Sequence, residues 1–211
     1  MPARPLAVGS RHGAGGIAFL LLGAVLSACT SPGAIVDPKA ACDALAAPIA
    51  AASIGLPTRG ATIDSALLVE ASAEAPTHPL PFVPPPPEAV IAPAMPQHCR
   101  VVGRIASVDA TAPPIRFQVN LPSDWNRRSL QFGGGGFNGV LITGLGLPPS
   151  SRIDRPGPLA RGFVTYGTDS GHANAPGLAL QAFSLNDEAL ENFAHASLSE
   201  NACRARPGAL A

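Results

Sequence analysis

Aromatic side chains make up only 5% of this 211-residue chain and charged ones 13%. Acidic and basic residues balance at 14 each, so there is no broad positive field of the kind a phosphate backbone requires, and nucleic acid is excluded as a partner. Low charge combined with 46% hydrophobic residues also excludes a disordered tail and leaves enough apolar material for one domain with a core. Where aromatics are scarce, Gly (22) and Pro (24) are abundant; turns and extended segments are expected rather than a helical bundle.

A run long enough to span a bilayer is missing too. The most apolar stretch, "IAFLLLGAVL" (17–26), has ten residues, whereas a spanning helix needs about 20. It follows Arg4 and Arg11, with no acid before Asp37, which is the layout of an export signal. The "LSAC" that follows, ending at Cys29, resembles a bacterial lipobox. Cys29 is therefore expected to carry a lipid, after a signal peptide over 1–28, with a tether over 29–41. This implies an exported protein anchored to a bacterial membrane by lipid alone, on the periplasmic face or the outer membrane.

Export places the other cysteines, Cys42, Cys99 and Cys203, in an oxidising compartment. Three thiols leave one over, and the favoured pair is Cys42 with Cys99.

Along the domain, "ACDALAAPIAAAS" has helical composition broken by Pro48, so only short turns are expected. Strands are expected over 61–71, from Cys99, from Ile115, from Ser129 into a glycine run, and over 162–169. The proline-rich stretch over 74–98 can form neither ladder nor helix. A helical pattern covers 184–198, with Asn186 as cap, Asp187 and Glu188 in the first turn, and Leu190, Phe193, Ala194 and Leu198 at helical spacing. A strand meander passing into strand–helix alternation indicates an α/β sheet with antiparallel strands at its start.

The run "QFGGGGFNG" (131–139) fits two kinds of chemistry. Gly134, Gly136 and Gly139 satisfy the dinucleotide spacing, but a further glycine-rich, proline-containing stretch follows where a helix should open, and the nearest strand-end acid, Asp169, lies some 30 residues past Gly139 where about 20 is expected. The second reading is an oxyanion loop, whose bare backbone N–H groups face a developing negative charge.

Here "LPSDWNRRSLQFGGGGFNG" (121–139) and "LARGFVTYGTDSGH" (159–172) together resemble the tannase and feruloyl esterase family, with its WN-x-R turn, GGGG-F-x-G loop and TD-x-GH strand end. "TIDSALLVEA" and "MPQHCRVVGRI" resemble its N-terminal region, so the likeness covers 42–198. It implies an α/β-hydrolase fold and hydrolysis of carboxylic esters, often of aromatic acids such as ferulate or gallate, with no cofactor or metal. Carried over, Gly135 and Gly136 are the loop's oxyanion donors, and Trp125 and Asn126 hold the turn before the strand. Asp169 and His172 are triad residue types. The family's acid and base lie much later in the chain, however, so "TDSGH" is read as a turn fixed by Asx-type hydrogen bonds. His98 and His195 are read as incidental, with no converging ligands.

The 211 residues contain no G-x-S-x-G, and the family's nucleophile elbow, C-S-x-G-G, is expected on a strand after the 184–198 helix. The expected fold is thus an incomplete α/β-hydrolase sheet ending before that elbow, without a catalytic residue. The different character of "SENACRARPGALA" (199–211) suggests an out-of-frame tail. On this reading the chain alone does not turn over ester, and the 162–169 strand is left with an open edge. The alternative is a non-catalytic exported lipoprotein acting as a binding module. No oligomer is expected.

Overall fold

A computed structural model describes residues 37–73, 94–148 and 155–198. The expected signal peptide over 1–28, Cys29, most of the proline-rich stretch, Cys203 and residues 199–211 lie outside the described residues.

The chain enters through helix α1 (Pro38–Asp43), which begins inside the segment expected as a tether. The cause is local: the Asp37 side chain accepts from the N–H groups of Lys39 and Ala40, and proline stands at the first helical position, where its missing N–H costs nothing. A 3-10 turn at Ala44–Ala46 and another at Ala51–Ser53 follow on either side of Pro48.

Strands β1 (Ala61–Val69), β2 (His98–Ile105) and β3 (Ile115–Pro122) form an antiparallel meander. β2 and β3 pair without interruption from His98 opposite Pro122 to Ile105 opposite Ile115. The β2–β3 connection is closed by Asp109, whose Oδ1 accepts from the Thr111 N–H at 2.8 Å. In β1 the register shifts between Ile63 and Ser65, and the intervening Asp64 reaches across to Arg104 at 2.9 Å.

Alternation along these strands sends Cys99, Val101 and Ile105 of β2, and Ile115 and Phe117 of β3, into one hydrophobic core with Ala61 and Cys42. Leu45, Ile49 and Ile54, from the segment before β1, cover that face. Cys42 and Cys99 are joined by a disulfide, with Cα atoms 5.5 Å apart, as expected from the sequence. It bolts α1 to the middle of the core. Gly103 sits where a Cβ would meet the Phe117 ring at 2.7 Å and the Thr62 carbonyl at 2.6 Å. The absent side chain there is what lets Phe117 lie across β2.

β4 (Ser129–Phe132) and β5 (Val164–Thr168) complete a five-stranded mixed sheet in the order β1-β2-β3-β5-β4. β5 pairs antiparallel with β3 and parallel with β4. The open edge is therefore not on β5, as the sequence suggested, but on β4, which pairs only with β5 among the described residues. The crossover from β4 returns its chain to the inner position beside β3.

Helix α2 (Asp187–Ala194) is shorter than the 184–198 pattern and is flanked by 3-10 turns at Ala182–Leu185 and Ala196–Leu198. Asn186 caps it as expected, accepting from the Ala189 N–H at 2.9 Å. The inward face is Ala189 and Asn192, while Leu190 is 43% and Leu198 52% exposed, against the expected apolar stripe. Polar docking sets this rotation: the Glu188 carboxylate accepts from the N–H groups of Val108 (2.8 Å) and Asp109 (2.5 Å), and Asn186 Nδ2 donates to Asp109.

The disulfide closes a span of 57 residues, worth on the order of 4 kcal/mol by loop-entropy reasoning. Urea unfolding of a Cys42→Ser, Cys99→Ser double variant is expected to show a loss of that order with an unchanged or larger m-value. A loss under about 1 kcal/mol would mean that the unfolded chain is constrained in some other way.

Candidate active-site loop

The site is built where β4 and β5, running parallel, end side by side. Before β4 the WN-x-R turn is clasped from both sides. Trp125 Nε1 donates to the Arg128 carbonyl at 2.9 Å, and Asn126 Oδ1 accepts from the Arg128 N–H at 2.9 Å. Asn126 Nδ2 donates to the Arg161 carbonyl at 2.6 Å, and its N–H to the Gly162 carbonyl at 2.9 Å. Trp125 and Asn126 thus hold the turn expected of them and also align the start of β4 with the start of β5.

After β4 the glycine run does not open a helix: residues 133–148 contain no helix or strand. This removes the dinucleotide reading, which places the pyrophosphate on a helix N-terminus. Instead the Asn138 N–H donates to the Gly135 carbonyl at 3.0 Å, closing a tight turn around Gly136 and Phe137, with Gly136 at φ +58°. Gly133 to Gly136 are exposed, and a Cβ at Gly135 or Gly136 would meet nothing within 4 Å. The N–H groups of Gly135 and Gly136 donate to no acceptor among the described residues.

Gly134 and Gly139 are required for a different reason. A Cβ at Gly134 would strike the Asn138 side chain, with 2.9 Å left to its Cβ, and one at Gly139 would strike the Asn174 carboxamide. Both asparagines are committed elsewhere. Asn138 Nδ2 donates to Ser170 Oγ (2.9 Å) and the Thr168 carbonyl (3.3 Å). Asn174 Nδ2 donates to the Asn138 carbonyl at 2.9 Å, and its N–H to the Gly139 carbonyl at 3.0 Å. The glycine turn is therefore laced to the strand-end turn after β5. Asn138, Ser170 and Asn174 were not singled out from sequence; the partners lie 32 and 36 residues apart.

The strand-end turn "TDSGH" is itself fixed by Asp169. Its buried Oδ1 accepts from the N–H groups of Gly171 (2.9 Å) and Arg116 (3.0 Å), the Asx-type closure read from the sequence, and so also pins the turn to β3. Ser170 and Gly171 have φ of +65° and +76°. Burial raises the Asp169 pKa to about 6 against the opposing effect of these N–H donors. No acid–base pair forms with His172, because neither nitrogen of its ring makes a well-formed hydrogen bond. Burial lowers the pKa of His172. His98, on β2, is buried with Nδ1 2.9 Å from the Pro96 carbonyl, and burial likewise lowers its pKa. His195 caps the end of α2 at the surface.

Behind the loop, β3 and β5 share a polar patch in place of a hydrophobic one. Gln118 Nε2 donates to Asn120 Oδ1 at 2.9 Å, and Asn120 Nδ2 donates to Thr165 Oγ1 (3.0 Å) and to the Thr143 carbonyl (2.8 Å). This network fastens the segment leaving the glycine turn against the sheet. A cavity of about 370 Å³ lies elsewhere, between Leu56, Ile105, Ile115 and α2, and no residue of the glycine turn lines it. Among the described residues no group of three or more His, Cys, Asp or Glu could hold a metal ion, and no helix is long and apolar enough to cross a membrane.

The glycines after β4 thus form a bare, exposed turn on a mixed α/β sheet, with the N–H groups of Gly135 and Gly136 unpaired among the described residues. Comparison with known proteins gives the family: residues 99–206 match the model of the tannase and feruloyl esterase family, and the chain belongs to it. It is 41% identical over 160 residues to an uncharacterised esterase of Agrobacterium fabrum, which covers 73% of this chain and 25% of that protein. It is 36% identical over 111 residues to a mono(2-hydroxyethyl) terephthalate hydrolase of Piscinibacter sakaiensis, covering 49% of this chain and 18% of the other. The chain thus spans a quarter or less of the length of these relatives. Among solved structures it is similar to an esterase from Aspergillus oryzae, with a TM-score of 0.45, 22% identity, and coverage of 76% of this chain and 27% of that one. Feruloyl esterase B from the same organism gives 0.44, 20%, 75% and 26%.

The titration of the site has a defined sign. Folded Asp169 keeps its proton up to about pH 6, whereas an unfolded carboxyl releases it near 3.8. The folded state therefore binds more protons between these values, and the Asp169 contribution to stability falls as pH rises through them. His98 and His172, with lowered pKa values, act oppositely: the unfolded state takes up their protons first as pH falls below about 6.5, so acid destabilises. Asp169→Asn keeps the acceptor and removes the charge. Relative to the parent, its unfolding free energy is expected to rise between pH 4 and 6 by up to about 3 kcal/mol and then level off. A difference that does not vary with pH would show that Asp169 is not titrating in this window.

Proposed function

We propose that this chain carries the oxyanion-loop half of a carboxylic ester hydrolase, with Gly135 and Gly136 supplying the loop's N–H donors. The observation that supports this most is the pair of exposed, unpaired N–H groups in a turn where a Cβ is absent. A tetrahedral intermediate formed at an ester carbonyl carries its negative charge on one oxygen, and preorganised donors about 2.7–3.1 Å from that oxygen lower the barrier. The substrate class proposed is esters of aromatic acids. The family membership supports it, as does the terephthalate half-ester named for the Piscinibacter sakaiensis relative.

The chemistry also needs a nucleophile, a base and an orienting acid. None is assigned to these 211 residues. No G-x-S-x-G or C-S-x-G-G occurs among them, and the buried Asp169 carboxylate is spent on backbone N–H groups. One oxyanion donor in such sites is the N–H after the nucleophile, so this loop accounts for one half of the hole. Accordingly, the purified chain alone is expected not to hydrolyse methyl ferulate above the buffer rate, and clear turnover would overturn this part of the reading.

The loop's role is tested in a chimera in which the matching segment of the Piscinibacter sakaiensis hydrolase is replaced by residues from this chain. The chimera is expected to hydrolyse mono(2-hydroxyethyl) terephthalate. Gly135→Pro, which removes the N–H, is expected to lower kcat by 10²–10³, corresponding to about 2.7–4 kcal/mol. An unchanged kcat in the proline variant would remove Gly135 from the oxyanion role.

We further propose that the protein is exported and held on a bacterial membrane through lipid on Cys29, the support being the charged start, the ten-residue apolar run and "LSAC". Cys29→Ala is expected to abolish incorporation of labelled palmitate and release the protein from membranes; continued labelling would refute the anchor.

A further inference from the structure

His172 is only 2% exposed, yet neither ring nitrogen makes a well-formed hydrogen bond, the Ser170 and Phe137 backbone lying nearest. Burying two polar nitrogens without good partners is costly, and a phenyl ring would fill the same space without that cost. The neighbours of the ring suggest what the imidazole does. Its face stacks on Phe183, with centroids 3.8 Å apart and planes at 18°, and Phe193 meets it edge-on at 5.7 Å. Phe183 and Phe193 in turn each hold Phe137, at 6.1 and 6.2 Å. Phe137 directly follows the four glycines, and its backbone carbonyl, like that of Ser170, borders the imidazole.

We propose that neutral His172 is a positioning residue for the glycine turn. Through Phe183 and Phe193 it fixes the ring of Phe137, and at the Phe137 carbonyl it abuts the turn itself, so protonation of the imidazole releases the turn. This rests on the oxyanion-loop reading for its functional meaning but not for its test, which reads loop geometry rather than turnover.

A charge arriving on the ring would be buried against two phenyl rings, Phe183 and Phe193. The two carbonyls beside it favour the charged form, but burial outweighs them. The stacked face of Phe183 offers the cation some attraction, but among the described residues no charged group faces it. The glycine turn and residues 173–185 carry no titratable group. The strand-end turn brings Asp169, whose carboxyl is engaged with the N–H groups of Arg116 and Gly171. β3 brings Arg116, which is exposed. α2 brings Asp187 and Glu191, which are exposed, and Glu188, which is committed to Val108 and Asp109. His195, just past α2, is exposed.

The test follows the ¹H–¹⁵N resonances of Gly134, Gly135 and Gly136 in the full chain from pH 8 to pH 5, together with the ring resonances of His172. An Asp169→Asn background removes the neighbouring titration. The glycine amides are expected to shift with the same midpoint as the His172 ring, below the ordinary histidine value. In His172→Phe, which keeps the stack but cannot titrate, that shift is expected to vanish while the spectrum at pH 8 stays close to the parent's. In His172→Ala the turn resonances are expected to be displaced at every pH. Glycine amides that titrate in His172→Phe as they do in the parent, or that stay still while the His172 ring titrates, would overturn the proposal. Failure of the chimera to hydrolyse ester would leave it standing.

Discussion

The close approach of two turns at the ends of β4 and β5 is the constraint on which the site depends. Gly134 and Gly139 have no room for a Cβ because Asn138 and Asn174 occupy that space. The asparagines occupy it because their amides cross to Ser170, to the Thr168 carbonyl and back to the Asn138 carbonyl. Glycine is needed at these positions for packing, and at Gly136 for its φ of +58°, while Gly135 and Gly136 both face open space. One four-glycine run thus serves two physical purposes. The dense side brings backbone against backbone, and the open side leaves N–H groups unpaired at the surface. Unpaired donors are inexpensive there, because water satisfies them.

The rest of the sheet makes that approach rigid. Two faces hold the central strands by different means. On one, a hydrophobic cluster around Val101, Ile105, Ile115 and Phe117 is sealed by α1 and bolted through the Cys42–Cys99 bridge. On the other, the Gln118–Asn120–Thr165 network takes the place of a greasy interior and reaches the carbonyl of Thr143 in the segment leaving the glycine turn. A satisfied polar network of this kind is directional where apolar packing is not. Asp169 completes the arrangement by binding its own turn and β3 through a single carboxylate oxygen, despite a burial cost large enough to raise its pKa to about 6.

Much of this was legible in the sequence, for identifiable reasons. Strand starts at Ala61, Cys99, Ile115 and Ser129 stand within a residue of the observed ones, because turn chemistry brackets each run. The Asn186 cap, the Asx closure at Asp169 and the WN-x-R clasp are short-range hydrogen bonds, written in consecutive residues. What depended on long-range placement was not legible. The open edge lies on β4 rather than β5, because strand order follows from a crossover and not from local pattern. α2 turns Ala189 and Asn192 inward and leaves Leu190 exposed, because Glu188 and Asn186 dock it on a distant turn. Asn138 and Asn174 acquire their roles, and Phe137 reaches Phe183, only once chain segments more than 30 residues apart meet.

The central proposal is that Gly135 and Gly136 present free N–H groups to an anionic oxygen because the lacing through Asn138 holds them there. The most direct measurement is a ¹H–¹⁵N titration of the full chain with phenylphosphonate, an aromatic anion that imitates the charge of a tetrahedral intermediate. Selective, saturable shifts at Gly135 and Gly136, lost in Asn138→Ala while the rest of the spectrum is retained, are the result this account requires. Shifts spread over scattered exposed arginines with the two glycines unmoved, or a response unchanged in Asn138→Ala, would contradict it.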